Sequence, residues 1–520
     1  MKDLKKYVSG LLALSLITFS VLTASAENAD TPPEPPQGEV TTDGQTPPER
    51  PDGDMGTPPD IPGGTPAGMP ASAMGTPPEG GMGGPGGGSS QPSSYEALAS
   101  YSENTELNGV SLASTGDDEN ALLVTGGTVT VSGSTLSRVS DNSTGVDSAS
   151  FYGVGAAVLV TDGEVHVTDS EITTDASGGA GVFAYGDGVA YVENTTIRTE
   201  QNTSGGIHVA GGGTLYAKNL DVITNGGSAA AIRSDRGSGT MVVDGGTYTS
   251  NGSGSPAVYV TADITIRDAS LTATGSEALC LEGLNTVRLY NCTLEGDMPQ
   301  DAQNDNTWTV ILYQSMSGDS QVGEGTFIMD GGSLVSHSGG LFYSTNTDSV
   351  FTLRNVEIIT DETPDYFLRV TGNSNARGWG STGSNGANTV FTAYQQTMNG
   401  DILYDSISNL TLYLLEGTHL TGAVLDDESC AGNGGNGTAA VAVDATSTWT
   451  VTENSTLTSL ACEGTLQDAD GRTVSVLGND GTVYIQGESD IVIYVDSFSD
   501  TIDISSAGII PAYDAMVSMP

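Results

Sequence analysis

The stretch 205–225, GGIHVAGGGTLYAKNLDVITN, contains three short runs of alternating apolar and polar residues, separated by glycines and by Asn219. Alternation with a period of two marks a strand with one buried side, and it groups Ile207, Val209, Leu215, Ala217, Leu220 and Val222. A unit this short cannot bury that side alone, so it needs copies of itself above and below. With Ile207 as reference, equivalents fall at Leu122, Val158, Val182, Ile232, Val258, Leu279, Ile311, Phe342 and Leu368. A degenerate repeat of roughly 20–30 residues with three strands per period predicts a solenoid of stacked parallel sheets, with about 4.8 Å between strands.

A second column fixes the phase independently. Asp169, Asn194, Asn219, Asp244, Asp268, Asn291, Asp330, Asn355 and Asn454 are each read as standing between the second and third runs. Asn and Asp accept left-handed backbone in a tight turn, so a stacked column of them is physically sensible there. With both columns in place, the chain resembles the right-handed parallel β-helix proteins of the pectin-lyase-like superfold, which carry an asparagine ladder at that turn. Within that superfold it is most similar to secreted, adhesin-like bacterial proteins. The resemblance implies an all-β fold, a three-sheet solenoid of roughly 12–13 coils. It specifies function poorly, because one fold hosts many activities.

The solenoid is expected over residues 94–505, with 506–520 as a C-terminal tail. At the other end, Lys2, Lys5 and Lys6 precede an apolar run and the small residues Ala24-Ser25-Ala26, so residues 1–26 read as a secretory signal peptide. The apolar run is too short for a membrane anchor. Residues 27–93 are rich in Pro, Gly and acids, with Thr-Pro-Pro recurring at Thr31, Thr46, Thr57 and Thr76, and read as a disordered spacer that cannot form a core. The expected location is therefore extracellular, secreted or surface-associated, with no membrane insertion once the signal is cleaved.

The formal net charge is −49, and Lys218 is the sole lysine beyond the signal peptide. This balance repels nucleic acid and anionic membrane and keeps a long rod of strands soluble. It leaves room for calcium at acidic turns such as Asp468-Ala469-Asp470-Gly471, although that stretch lacks a full set of spaced ligands and reads as an ordinary turn. His166, His337 and His419 are scattered without metal-ligand spacing, so no metal or other cofactor is expected. Of the four cysteines, phase puts Cys280 outward and Cys292 inward, which argues against their pairing, while a Cys430–Cys462 bridge stays open.

A stacked solenoid tolerates insertions only at turns. Long ones occur at 140–154, 298–307, 314–325, 372–389 and 427–438, bordering the outer face of the first sheet, where they would wall a groove. Phe151, Tyr152, Trp308, Arg377 and Trp379 lie in or beside them. The groove floor is the outward column one residue after each reference position: Phe183, His208, Arg233, Tyr259 and Cys280 on adjacent coils, then Leu312, Tyr343 and Arg369. Asp187, Asp235, Arg236 and Glu282 follow on the turns. Aromatic faces stack on sugar rings, while carboxylates and guanidinium groups take hydroxyls or acids. The candidate ligand-binding set is thus Phe183, Asp187, His208, Arg233, Asp235, Arg236, Tyr259, Glu282, Arg369 and Trp379.

Catalysis on this face would be a β-elimination, with His208 or Tyr259 as proton acceptor and Arg233 neutralising a uronate. Calcium-dependent pectate lyases set a carboxylate cluster before an arginine, which Asp235, Glu282 and Arg233 imitate loosely. The polygalacturonase-like hydrolases of the superfold share Asn346-Thr347-Asp348 with this chain, but their Gly-His-Gly and Arg-Ile-Lys motifs do not follow here. The leading expectation is an adhesin-like protein that binds a polysaccharide, a cell-surface glycan or another host or cell-surface ligand along the outer face of the first sheet. A polysaccharide lyase or glycoside hydrolase on the same face, and a passive spacer with no site, are the alternatives.

Overall fold

The computed structural model describes residues 90–513 apart from Val146. The stretch read from sequence as a signal peptide, nearly all of the stretch read as a spacer, and the last seven residues of the expected tail lie outside the described residues. Thirteen first-sheet strands, from Ala97–Tyr101 to Val424–Asp426, form one continuous parallel ladder. In the 205–225 coil the first strand is Ile207–Ala210, and Thr214–Thr224 supplies both others, bent at Asn219 with φ of 52°. Among the described residues no helix is long and apolar enough to cross a membrane.

The inward column follows the reference positions, with one slip. Leu279 pairs with Val310, and Val310 with Phe342, so Val310 points inward and Ile311 outward, and Leu312 is not in the outward column. Trp308–Tyr313 is buried at every position, so it offers no alternation from which to read a phase. The core is one continuous apolar column in which Phe327, Phe342, Phe351, Phe367 and Phe391 pack together, with neighbouring ring centroids 5.4–6.1 Å apart. Burying each such side chain contributes about 1.5–3 kcal/mol.

The turn ladder is real but shared among residue types. Asp169, Asn194, Asn219, Asp268, Asn291 and Asn355 all have φ near 50°, and Asn219 Nδ2 donates to Asn194 Oδ1 at 2.9 Å. Asp244 and Asp330 stand one residue too early: Gly245 and Gly331 take the left-handed position. Each aspartate instead meets an arginine on the next coil, Arg267 at 3.1 Å and Arg354 at 2.8 Å. Asn454 also falls outside the ladder; it precedes the strand Ser455–Cys462 and accepts from Val492 N. Gln395 and Glu416 fill left-handed turn positions farther along, with φ of 51° and 56°.

The largest departure concerns the first sheet's outer face. Leu123, Leu159, Phe183, Cys280, Ile311 and Tyr343 point outward yet are buried, because the insertions lie over the sheet instead of walling an open groove. Residues 506–513, read from sequence as a tail, lie against the outer face of the second sheet. The chain turns back after Val492–Ser499, and Ile502 and Ala507 pack beside Tyr413 and Leu415. Tyr394 Oη then donates to Gly508 O and Tyr290 Oη to Pro511 O, both at 2.8 Å. The Tyr513 ring meets Tyr290 edge-on, with the Arg267 guanidinium 4.1 Å above it. All four cysteines are free and buried, so Cys430 and Cys462 form no bridge.

Candidate functional site

The insertion 140–154 carries a short helix, Asp147–Tyr152, that sits above the first-sheet strands of the middle coils. The loop 314–325 approaches from the other side. Arg236 joins the two: its guanidinium lies 4.1 Å above the Phe151 ring, and Nη2 donates to Asp319 Oδ1 at 2.8 Å. Between these covers remains a pocket of about 400 Å³ whose lining includes Asp147, Phe151, Arg233, Asp235, Tyr259 and Asp319.

Its floor is rigid. Arg233 donates through Nε to Asp235 Oδ2 (2.7 Å), through Nη1 to Ser228 O (2.6 Å) and through Nη2 to Ser150 Oγ of the helix (3.1 Å). Arg233 and Asp235 are both buried, and a buried ion pair holds only when its remaining polar groups are also satisfied. Burial by itself would raise the Asp235 carboxyl; Arg233 and His208 beside it outweigh that and hold it below the usual carboxylate range. His208 Nε2 is 2.8 Å from Asp235 Oδ2, off the line a hydrogen bond needs, and neither ring nitrogen has a hydrogen-bond partner. The imidazole lies on Phe183 with 4.1 Å between centroids, and burial pushes its pKa down to about 4 despite Asp235. His208 is therefore neutral at ordinary pH, and it does not line the pocket.

Tyr259 presents its half-buried ring to the pocket and turns its hydroxyl away, donating to Glu282 Oε2 at 3.0 Å. Glu282 also accepts from Tyr313 Oη, Gln314 Nε2, the Ser315 amide and the Ser315 hydroxyl. Burial outweighs these donors and raises its pKa, while burial and the nearby Glu282 hold the Tyr259 phenol well above its ordinary value. Neither Tyr259 nor His208 is placed to take a proton from a ligand. A general base needs both reach and a suitable pKa.

Of the ten expected ligand residues, three line this pocket: Arg233, Asp235 and Tyr259. Arg236, Glu282, His208 and Phe183 support it from the sides and behind. The other three lie elsewhere. Asp187 is exposed on its turn and does not line the pocket. Arg369 pairs with Asp427 at 2.9 Å in a separate cluster. Trp379 packs on Tyr313, 4.4 Å between centroids, covering the sheet where a ligand was expected. Asn346-Thr347-Asp348 is turn structure: Asn346 has φ of 55° and donates to Gln314 O, and Asp348 accepts from Asn388. The Asp468 carboxylate is used likewise, accepting from the Asp470 and Arg472 amides and from Arg472 Nε. Among the described residues no group of three His, Cys, Asp or Glu is placed to hold a metal ion.

The sequence reading missed Asp147 and Asp319, and a strained column beside them. Gly178, Thr203, Ser228 and Gly254, each four residues before its coil's reference position, all adopt positive φ between 53° and 72°. Thr203, Ser228 and Gly254 line the pocket. A β-branched residue there is a genuine outlier, held by surrounding structure. The signal was available as a fixed offset, but Ser and Thr in a turn attract no notice alone.

Comparison with known families matches residues 120–299 to the right handed beta helix region, a span that includes the pocket's floor. Comparison with curated proteins found no match.

Proposed function

We propose that this right-handed parallel β-helix protein is exported and binds a neutral, hydroxyl-rich saccharide in the pocket between the 147–152 helix and the 314–325 loop. The observation that carries the reading is the pocket itself, about 400 Å³ with a pre-formed floor, within the size range of small-ligand sites. The Phe151 and Tyr259 rings offer apolar surface for sugar C–H edges, and the exposed Asp147 carboxylate accepts from hydroxyls. A uronate fits less well: Arg233 and Arg236 already have carboxylate partners, and Asp147 adds a further negative charge. The binding reading is favoured over β-elimination because both proposed proton acceptors are turned away or walled off.

A glycan array with the purified protein tests this, followed by incubation of each bound glycan and assay for new reducing or unsaturated ends. Neutral glycans are expected to bind without turnover, and Asp147→Asn is expected to weaken them by at least about tenfold. Arg233→Ala is not a clean probe, because it strands a buried carboxylate. Binding confined to uronate polymers, with new unsaturated ends, would replace this reading with that of a lyase. No binding to any glycan would return the chain to a passive spacer.

A further inference from the structure

The outward column of the first sheet would give a long ligand a continuous track, but that track is closed on both sides of the pocket. Toward the start of the chain, the 147–152 helix runs into Gly153, which lies hard against Leu159 and Phe183. A Cβ added at Gly153 would meet their side chains at 2.6 and 2.9 Å. Tyr152 meets Tyr185 edge-on in the same wall, with 5.6 Å between centroids, and Phe183 and His208 beneath are fully covered. Toward the end of the chain, Cys280, Ile311 and Tyr343 are buried in one cluster with Met298 and Trp308, against which Trp379 packs.

A third side is closed by Arg236, which ties Phe151 of the helix to Asp319 of the 314–325 loop. Among the described residues, the side that stays open faces the turns leading into the first-sheet strands. Asp147, Ser228 and Gly254 are exposed there, Gly145 and Thr203 are half-buried, and these five lining residues form the mouth. The lining belongs to three successive coils, those of Ile207, Ile232 and Val258, and so spans roughly 10 Å along the axis. Arg233 bonded to Ser150 and Arg236 bonded to Asp319 hold the walls, so a ligand cannot part them without stripping partners from buried or half-buried polar groups.

We infer that this pocket takes the end of a saccharide chain and not an internal stretch. The terminal unit enters past Asp147, and the rest of the chain leaves through the same mouth. The inference rests on the saccharide reading above and names the part of the ligand that is held. A blind pocket of about 400 Å³ lies near the low end of the roughly 300–1,000 Å³ typical of small-ligand sites. It has room for a short piece of chain and no exit for its continuation. Contacts, and with them affinity, stop accumulating once the pocket is full.

Titration calorimetry on the full chain tests this. The probes are glucose, mannose, galactose and N-acetylglucosamine, their linear homo-oligomers up to the hexamer, and soluble linear polymers of the same sugars. For the sugar that binds, affinity is expected to rise by up to about tenfold from monomer to dimer and then stay level to the hexamer. Each linear polymer chain is expected to take up a single protein molecule, and Asp147→Asn to weaken monomer and hexamer by the same factor. Affinity that keeps climbing to the hexamer, or several proteins on one linear polymer, overturns the inference and leaves the saccharide reading standing. Binding that Asp147→Asn leaves unchanged at every length, or no binding by any probe, overturns both.

Discussion

Asp235 and Glu282 are two buried carboxylates with opposite solutions to one problem. Removing a carboxylate from water costs several kcal/mol unless partners replace the lost hydration (roughly 2–7 kcal/mol even for a neutral polar group). Asp235 takes an arginine and stays ionised below its usual range; Glu282 takes only neutral donors and titrates higher. His337 shows the same physics at a more exposed site. Its Nδ1 is 2.9 Å from Asp361 and its Nε2 2.8 Å from Glu295, and these two acids raise its pKa from 6.5 to about 8. A histidine whose folded pKa lies above its unfolded value contributes stability that is complete below the unfolded pKa and is lost as pH rises through the folded one. Stability should therefore fall between about pH 6.5 and 8 by a step that is absent in His337→Gln. Urea midpoints across that window check it; identical profiles for the two proteins would rule the contribution out.

At the scale of elements, the segment after Ser499 behaves as a clasp. In a solenoid each coil touches only its neighbours, so an end can fray coil by coil. Here the contacts between Ile502 and Tyr513 run from the coil of Ala461 back to that of Arg267, coupling coils that otherwise do not meet. Arg267, a surface arginine by its phase, is consequently half of a latch, with a cation–π contact worth about 0.5–1 kcal/mol or more when desolvated. Truncation after Ser499 should lower the melting temperature and speed amide exchange in the strands Asn388–Tyr394 and Asn409–Leu415, while the strands before Arg267 exchange as in the full chain. Equal acceleration along the whole rod would show that the segment acts by some route other than clasping.

At the scale of the molecule, charge is organised between coils. Every described lysine and arginine except Arg138 has a carboxylate within 4.0 Å, and Lys218–Glu193, Arg198–Asp221, Arg288–Asp263 and Arg354–Asp330 each join adjacent coils. Arg138 is fully buried and bonds to the Gly116 and Gly155 carbonyls instead. Cations are scarce and the net charge is −49, so most of the described carboxylates have no cation within 4.0 Å. Raising ionic strength from about 0.01 to 1 M shortens the screening length from about 30 to 3 Å, relieving repulsion among carboxylates more than it weakens a few exposed pairs. The melting temperature should rise with sodium chloride across this range. A fall would mean the inter-coil pairs dominate the electrostatics.

The solenoid, its phase and most of its turn ladder were legible from Leu122 to Leu368, because period-two burial and a left-handed turn are local demands that each coil must satisfy within its own sequence. Legibility failed where a local demand was absent. Trp308–Tyr313 is buried on both faces and has no alternation, and an Asp-Gly-Gly turn lets glycine take the strained position that aspartate was expected to fill. What lies on the outer faces was decided only in three dimensions. Residues 147–151 and 319 come from insertions far apart in the chain, and they meet over Arg233 and Tyr259 because stacked coils bring the two insertions to one face. The sequence by itself determined which side chains point outward from the first sheet. Whether they meet solvent, a ligand or another part of the chain depended on long-range docking, in which an apolar outward residue such as Phe183 is more stable covered than exposed.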